Sequence, residues 1–364
     1  MNRNTQQLHA LGQSLWLDNI SREILANGTL ARYISEFSVT GLTSNPTIFE
    51  KAIGEGTFYD QAIAELARQG QSGEQLFFAL ALQDLRQAAD LFRPVHEATG
   101  GVDGWVSLEL SPLLAADTAG SIRAAAQLHQ AGARPNLFIK IPGTPAGVPA
   151  IEESIFAGVP INVTLLFSRE QYLAAAEAYL RGIERRIAAG LDPKVESVAS
   201  LFVSRWDVAV KDKVTPQLRN RLGIAIAMRT YKAYREMLAS PRWQRLAKEG
   251  AHPQRLLWAS TGTKDPAAPD TLYIEAFAAP DTINTIPEKT LRAFADHGKL
   301  GSQMAVDGGD AEVVLAEFRR AGIDDQALAE RLQRDGAEAF TNSWNELLAR
   351  LAEKTSRLAG TRTG

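Results

Sequence analysis

The sequence predicts an α/β protein built as a closed (β/α)8 TIM barrel, on three observations. Eight short apolar runs have strand character, each is followed by a stretch with helical apolar spacing, and the 364 residues contain no Pro/Gly-rich linker long enough to separate two domains. Strands covered on both faces read as continuous apolar runs. Eight such units are the arithmetic of a barrel, whereas a doubly wound open sheet more often stops at roughly five to seven strands.

In order, the runs are Ser14-Leu15-Trp16-Leu17, Val39-Thr40-Gly41-Leu42-Thr43, Val106-Ser107-Leu108-Glu109, Leu137-Phe138-Ile139-Lys140-Ile141 and Ile161-Asn162-Val163-Thr164-Leu165. Residues 195–202, Leu256-Leu257-Trp258-Ala259 and Thr282-Ile283-Asn284-Thr285 complete the set. Leu30, Tyr33, Ile34 and Phe37 recur at helical spacing and predict a helix over 21–37. Phe77, Leu80, Ala81, Leu85, Ala88 and Phe92 predict another. The intervals 45–106 and 204–256 are too long for one crossover helix, so helical insertions are expected at about 46–105 and about 205–255. A last helical segment, at about 311–358, carries a stripe of Phe340, Trp344, Leu347, Leu348 and Leu351 that needs a surface to cover and is expected to pack back on the barrel. The expectation is a single domain over 1–364.

Composition removes several classes of function. Lys+Arg number 39 and Asp+Glu 42, so the net charge of −3 gives no basis for tracking a nucleic-acid backbone, and no cluster of five adjacent basic residues exists. The absence of cysteine excludes disulfides, thiolate zinc sites, iron–sulfur clusters and cysteine nucleophiles. The first residues are polar, no uncharged apolar run approaches the roughly 18 residues of a membrane span, and a cytoplasmic protein is expected. His9, His96, His129, His252 and His297 lie far apart without metal-ligand spacing, and Gly-x-Ser-x-Gly is missing. No metal and no cofactor is expected. Gly262-Thr263-Lys264 resembles the end of a P-loop, but Asp265 follows where Ser or Thr is needed.

Reacting groups of a barrel sit at the C-terminal ends of its strands. The polar residues there are Asp18, Asn45, Glu109, Lys140, Asn162 and Thr164. Of eleven lysines, Lys140 alone lies in the middle of a bulky apolar run, where burial strips an ammonium of solvation and favours the neutral, nucleophilic amine. A structural ion pair with Glu109 is the alternative reading. Asp18 and Glu109 could divide the proton transfers of Schiff-base chemistry, or Asp18 could cap the following helix. Asn162 and Thr164 share one face of their strand by alternation and could equally fill a barrel layer. Past the seventh run, Ser260, Thr261 and Lys264 occupy the place where barrels bind phosphate, or form a solvated loop. Gly143 and Gly147 suit a turn after the fourth run.

Taken together, Trp16-Leu17-Asp18, Leu42-Thr43-Ser44-Asn45-Pro46-Thr47, Leu108-Glu109, Phe138-Ile139-Lys140-Ile141-Pro142-Gly143-Thr144, Asn162-Val163-Thr164-Leu165-Leu166-Phe167-Ser168 and Ala199-Ser200-Leu201-Phe202-Val203-Ser204-Arg205 resemble the transaldolases, from about residue 12 to about 290. The resemblance implies a circularly permuted class I aldolase barrel of the pentose phosphate pathway, with the Schiff-base lysine on the fourth strand. It makes Lys140 that lysine and Asp18 the acid/base at the C4 hydroxyl. It gives Glu109 and Thr164 the water of carbinolamine formation and breakdown. Asn45, Asn162 and Ser200 would bind hydroxyls of the dihydroxyacetone unit, and Arg205 the phosphate. The chain departs from the better-known branch after the seventh strand, where Ser260-Thr261-Gly262 and Lys264 replace Ser-x-Arg. Lys264 as a point charge, with Ser260 and backbone N–H groups around Gly262, would supply the second phosphate contact, as in a branch with a Thr-Gly-Thr-Lys loop. The partners implied are sugar phosphates alone, and a monomer or a homodimer would serve. Two rivals stand beside this reading: an aldolase of the fructose-6-phosphate type that releases free dihydroxyacetone, and a sugar-phosphate-binding barrel without catalysis.

Overall fold

The computed structural model describes residues 1–360. Its first half runs α1 (Arg3–Ala10), β1 (Ser14–Asp18), α2 (Arg22–Ala26), α3 (Thr29–Glu36), β2 (Val39–Thr43), α4 (Pro46–Gly54), α5 (Asp60–Arg68), α6 (Gly73–Ala98), β3 (Val106–Glu109), α7 (Thr118–Gly132), β4 (Leu137–Pro142), α8 (Gly147–Phe156) and β5 (Ile161–Leu166). The second half runs α9 (Arg169–Ala188), β6 (Ser197–Phe202), α10 (Ser204–Val210), α11 (Leu222–Ala239), α12 (Pro241–Lys248), β7 (Arg255–Ala259), α13 (Leu272–Ala276), β8 (Ile283–Ile286), α14 (Glu288–His297), α15 (Ala311–Arg320) and α16 (Asp325–Gly360). The eight strands pair in parallel in chain order, and β8 closes on β1, so the barrel read from the sequence is present. Among the described residues no helix is long and apolar enough to cross a membrane.

Several local readings are corrected. The helix expected over 21–37 is two helices, because Gly28 takes a left-handed φ of 78° that a continuing helix does not tolerate. The cap of the first is Ser21, whose hydroxyl accepts from the Ile24 N–H, so Asp18 is not needed as a cap. The sixth strand starts at Ser197 rather than 195, and the last runs 283–286 rather than 282–285.

Alternation along the strands builds the barrel interior in layers. Trp16, Phe138, Val198, Leu257 and Ile283 are buried one step below Asp18, Lys140, Ser200, Ala259 and Thr285. Trp105 stacks on Phe138 at 4.1 Å between centroids, and Trp16 Nε1 donates to Asp103 Oδ1 at 2.8 Å. Gly41 makes room for this floor: a Cβ there would lie 2.6 Å from Trp16 Nε1. An aromatic layer therefore separates the polar upper end of the barrel from a second buried polar group at its base, where Arg255 donates to Ser14 Oγ and Ser14 to Asp103.

The tail covers that upper end. Phe340, Trp344, Leu347 and Leu351 are buried, as the stripe requires, and Trp344 Nε1 donates to Glu74 Oε1 at 3.0 Å. Further along α16, Lys354 Nζ donates to the carbonyls of Ile53 and Gly56, at 2.9 and 2.8 Å, where α4 ends. These bonds satisfy acceptors that a helix C-terminus otherwise leaves open.

Asp207 ties three helices together. Its carboxylate accepts from the Leu222 and Gly223 N–H groups at 2.9 and 3.2 Å and from the Tyr273 hydroxyl at 2.6 Å. Burial pushes it up to about 6. A carboxyl raised in the folded state contributes stability below the ordinary carboxylate range and loses it as pH rises through the folded value. Asp207→Asn stays neutral throughout but misplaces one hydrogen bond, a deficit of about 1–3 kcal/mol. Scanning calorimetry should show that deficit at pH 5 and find it shrinking by pH 7.5; a deficit independent of pH contradicts the assignment.

Candidate active site

Strand register sets the centre. Glu109, Lys140 and Asn162 are direct neighbours across β3, β4 and β5, so their side chains enter the barrel at one level. Lys140 Nζ donates to Glu109 Oε2 at 3.0 Å and to the Ser44 carbonyl at 3.0 Å. Ser44 is held in turn by its own hydroxyl, which donates to the Ser107 carbonyl at 2.7 Å. Lys140 and Glu109 are each 5% exposed, so the ion pair expected as the alternative reading does form. It does not end the matter, because Lys140 also lines an open cavity. Burial raises Glu109 above the usual carboxylate range, with the Lys140 charge pulling the other way.

Asn162 is clamped at both ends of its amide, donating to Ser107 Oγ at 3.1 Å and accepting from Ser200 Oγ at 2.7 Å. Thr164, one alternation higher, is buried. Its Oγ1 and Glu109 Oε1 are buried polar atoms without a hydrogen-bond partner among the described residues.

The opposite wall comes from β8, β1 and β2. Asp18 is aligned with Thr43, whose hydroxyl donates to Asp18 Oδ1 at 2.9 Å and also meets the Thr285 hydroxyl. Burial raises Asp18, while the Lys140 charge and the Thr43 bond pull it down. Asn45 caps α4, its Oδ1 accepting from the Ile48 N–H at 3.0 Å, which leaves its amide N–H groups as donors.

The third wall is cationic. Arg205, in the first turn of α10, is half-buried, and Lys264 is exposed on the loop after β7. Ser260 takes a left-handed φ of 58° and its hydroxyl lies 2.9 Å from that of Ser204, tying the ends of β6 and β7. The other residue of that loop, Thr261, turns away: it is buried and donates to Asn284 Oδ1 at 2.9 Å.

A cavity of about 310 Å3 at the barrel mouth joins these walls. Asp18, Asn45, Lys140, Thr164, Ser200, Arg205, Ser260 and Lys264 line it, and Glu109 and Asn162 stand directly behind, bonded to Lys140 and Ser200. The ten residues given a role in the site are thus brought to one place, and Thr261, also considered for the phosphate, is not among them. The cavity can hold a small polyhydroxylated anion, with an amine and a carboxyl at one end and cations at the other. Among the described residues no group of three His, Asp or Glu side chains is placed to hold a metal ion. A wider hollow of about 750 Å3 beside α9, α11 and α15 is lined by charges already paired, Arg229 with Glu312 and Asp325, and offers no comparable nucleophile.

Further residues line the mouth, among them Thr43, Thr285, Lys51 and Phe340. Thr43 and Thr285 stand at strand ends, and the rule that found Asp18 applies to them equally. Lys51 of α4 and Phe340 of α16 come from outside the βα units, and nothing local in the sequence marks them as cavity walls.

Comparison with known proteins adds an independent result. The family model described as Transaldolase/Fructose-6-phosphate aldolase matches residues 15–351. A protein of Parafrankia sp. (strain EAN1pec) named Transaldolase is 45% identical over 368 residues, covering 99% of this chain and 100% of the relative. Proteins of the same name from Thermobifida fusca and Neisseria gonorrhoeae are 45% and 43% identical, covering 96% and 94% of this chain and 97% of each relative.

Proposed function

We infer the activity from one premise: the chain belongs to the transaldolase/fructose-6-phosphate aldolase family. It is a transferase of the transaldolase kind, moving a dihydroxyacetone unit from a ketose phosphate to an aldose phosphate. The observation that carries the residue assignment is Lys140, buried in an ion pair with Glu109 yet open to the same cavity as Asp18, Arg205 and Lys264.

In the reading we propose, Lys140 passes a proton to Glu109 and attacks the C2 carbonyl of sedoheptulose 7-phosphate or fructose 6-phosphate. The carbinolamine loses water to give a protonated imine. Asp18 takes the proton of the C4 hydroxyl, the C3–C4 bond breaks, and its electrons move to the imine nitrogen. The aldose phosphate leaves and a three-carbon enamine stays on Lys140. The enamine carbon then attacks the aldehyde of glyceraldehyde 3-phosphate or erythrose 4-phosphate, Asp18 returns the proton, and water frees the new ketose. A carboxyl raised by burial suits a group that takes and gives a proton near neutral pH.

The other roles rest on neighbouring geometry. Glu109 Oε1 and Thr164 Oγ1 each need a partner, and one water bonded to both would satisfy them beside the carbinolamine. Asn45, Asn162 and Ser200 offer donors and acceptors to the hydroxyls, and Arg205, Ser260 and Lys264 receive the phosphate. Each barrel carries the full set, so a monomer and a homodimer would work alike, and a cytoplasmic setting fits a reaction on free sugar phosphates.

Two results test this. With fructose 6-phosphate and erythrose 4-phosphate, sedoheptulose 7-phosphate should accumulate in step with glyceraldehyde 3-phosphate; free dihydroxyacetone as the main product contradicts transfer. Glu109→Gln should slow imine formation by about 10²–10³-fold in rapid-quench borohydride trapping. An unchanged trapping rate removes Glu109 from that step.

A further inference from the structure

Arg205 is held in an unusual way for a half-buried cation. It makes no hydrogen bond or ion pair to another described residue. Instead its guanidinium stands over two aromatic rings, Phe202 at 5.2 Å and Phe340 at 5.8 Å from the centroids. An aromatic face attracts the cation without using any N–H, so the donor fork stays free for an oxyanion. Burial lowers Arg205 from its ordinary value, and the charge of Glu109 opposes this.

One of those rings comes from the far end of the chain. Phe340 lies on α16, where Gln333, Gly336 and Phe340 follow at i, i+3 and i+7 and so share one face of the helix. Gln333 Nε2 donates to the carbonyls of Gly143 and Leu165, at 3.0 and 2.9 Å, which fastens this face to the ends of β4 and β5. Leu165 needs such support, since it has a left-handed φ of 57° next to Thr164. Gly336 sits against Arg205 itself: a Cβ there would lie 3.1 Å from Arg205 Nη1 and 3.1 Å from Leu165 Cδ2.

We propose that Phe340 and Gly336 of α16 are positioning residues for Arg205, setting the plane and reach of the guanidinium so that the C-terminal helix governs affinity for the phosphate end of the substrate. The proposal rests on Arg205 as a phosphate ligand. Phe340 supplies the attractive face, Gly336 the space, and Gln333 the fixed distance between helix and barrel.

The test measures KM for fructose 6-phosphate and the competitive inhibition constant of inorganic phosphate in four variants. Phe340→Leu should raise both by about tenfold, the worth of a partly desolvated cation–π contact, with kcat within about threefold. Phe340→Tyr, which keeps the ring, should restore both. Gly336→Ala should raise both while the melting temperature holds or increases, because alanine favours the helix. That opposition is not produced by a merely structural role, and Gly336→Ala decides the matter if Phe340→Leu does not fold. Wild-type constants in Phe340→Leu or Gly336→Ala, with both raised in Arg205→Ala, overturn the proposal alone. Wild-type constants in Arg205→Ala overturn the phosphate reading beneath it.

Discussion

Lys140→Met should lose about four orders of magnitude or more in kcat, since the covalent route disappears and only binding and proton-transfer groups remain. Methionine fills the same space without the amine. The variant should therefore fold, and its stability should carry a signature of the partner left behind. Removing one member of a buried ion pair typically costs about 3–5 kcal/mol when the other charge stays. Glu109 has an escape, because burial already raises it and Lys140 is the main influence holding it down. Without Lys140 it rises further and takes up a proton. Such a raised carboxyl stabilises the fold below the ordinary carboxylate range, and the contribution is lost as pH rises through the folded value. The melting deficit of Lys140→Met relative to the parent should accordingly be larger at pH 8 than at pH 5. A deficit that grows toward acid would mean that Glu109 is not the partner left behind.

Asp18→Asn should lower kcat by about 10²–10⁴-fold, the usual worth of a positioned general acid/base. The informative readout is the trapped species. If Asp18 acts after the imine has formed, borohydride should capture the whole phosphorylated six-carbon unit on Lys140, since the C3–C4 bond no longer breaks. Trapping of the three-carbon unit at the parent rate would assign cleavage to another base. Stability should move the other way from activity. Asp18 is raised by burial, so its charged form weighs against the fold at neutral pH, and a neutral asparagine of the same shape should melt no lower at pH 8.

The centre of this site was legible in the sequence for a physical reason. A strand covered on both faces has little use for charge, so a lysine and a glutamate inside apolar runs stand out, and parallel register then places Glu109 beside Lys140. Asp18 stands out as a polar residue at the end of an apolar run and Thr164 by alternation with Asn162, whereas Ser200 and Arg205 were reached only through the resemblance. The break at Gly28 was less visible, because the apolar spacing of Leu30, Tyr33 and Ile34 continues a helical pattern through a residue whose backbone departs from it. Phe340 was legible as part of a stripe that must be covered, and the stripe is covered. That one of its residues faces Arg205 depends on how α16 crosses the barrel mouth, which the bonds of Gln333 and Lys354 determine. Contacts of that kind join residues remote in the chain and leave no periodic trace.

The most direct test of the covalent account is mass spectrometry of the intact protein and its peptides after borohydride reduction with fructose 6-phosphate. The account predicts a dihydroxyacetone-sized adduct on the peptide containing Lys140, absent in Lys140→Ala and discharged when erythrose 4-phosphate is added before reduction. No adduct on that peptide while the sugar phosphate still binds would contradict it, and would leave Lys140 as the structural partner of Glu109.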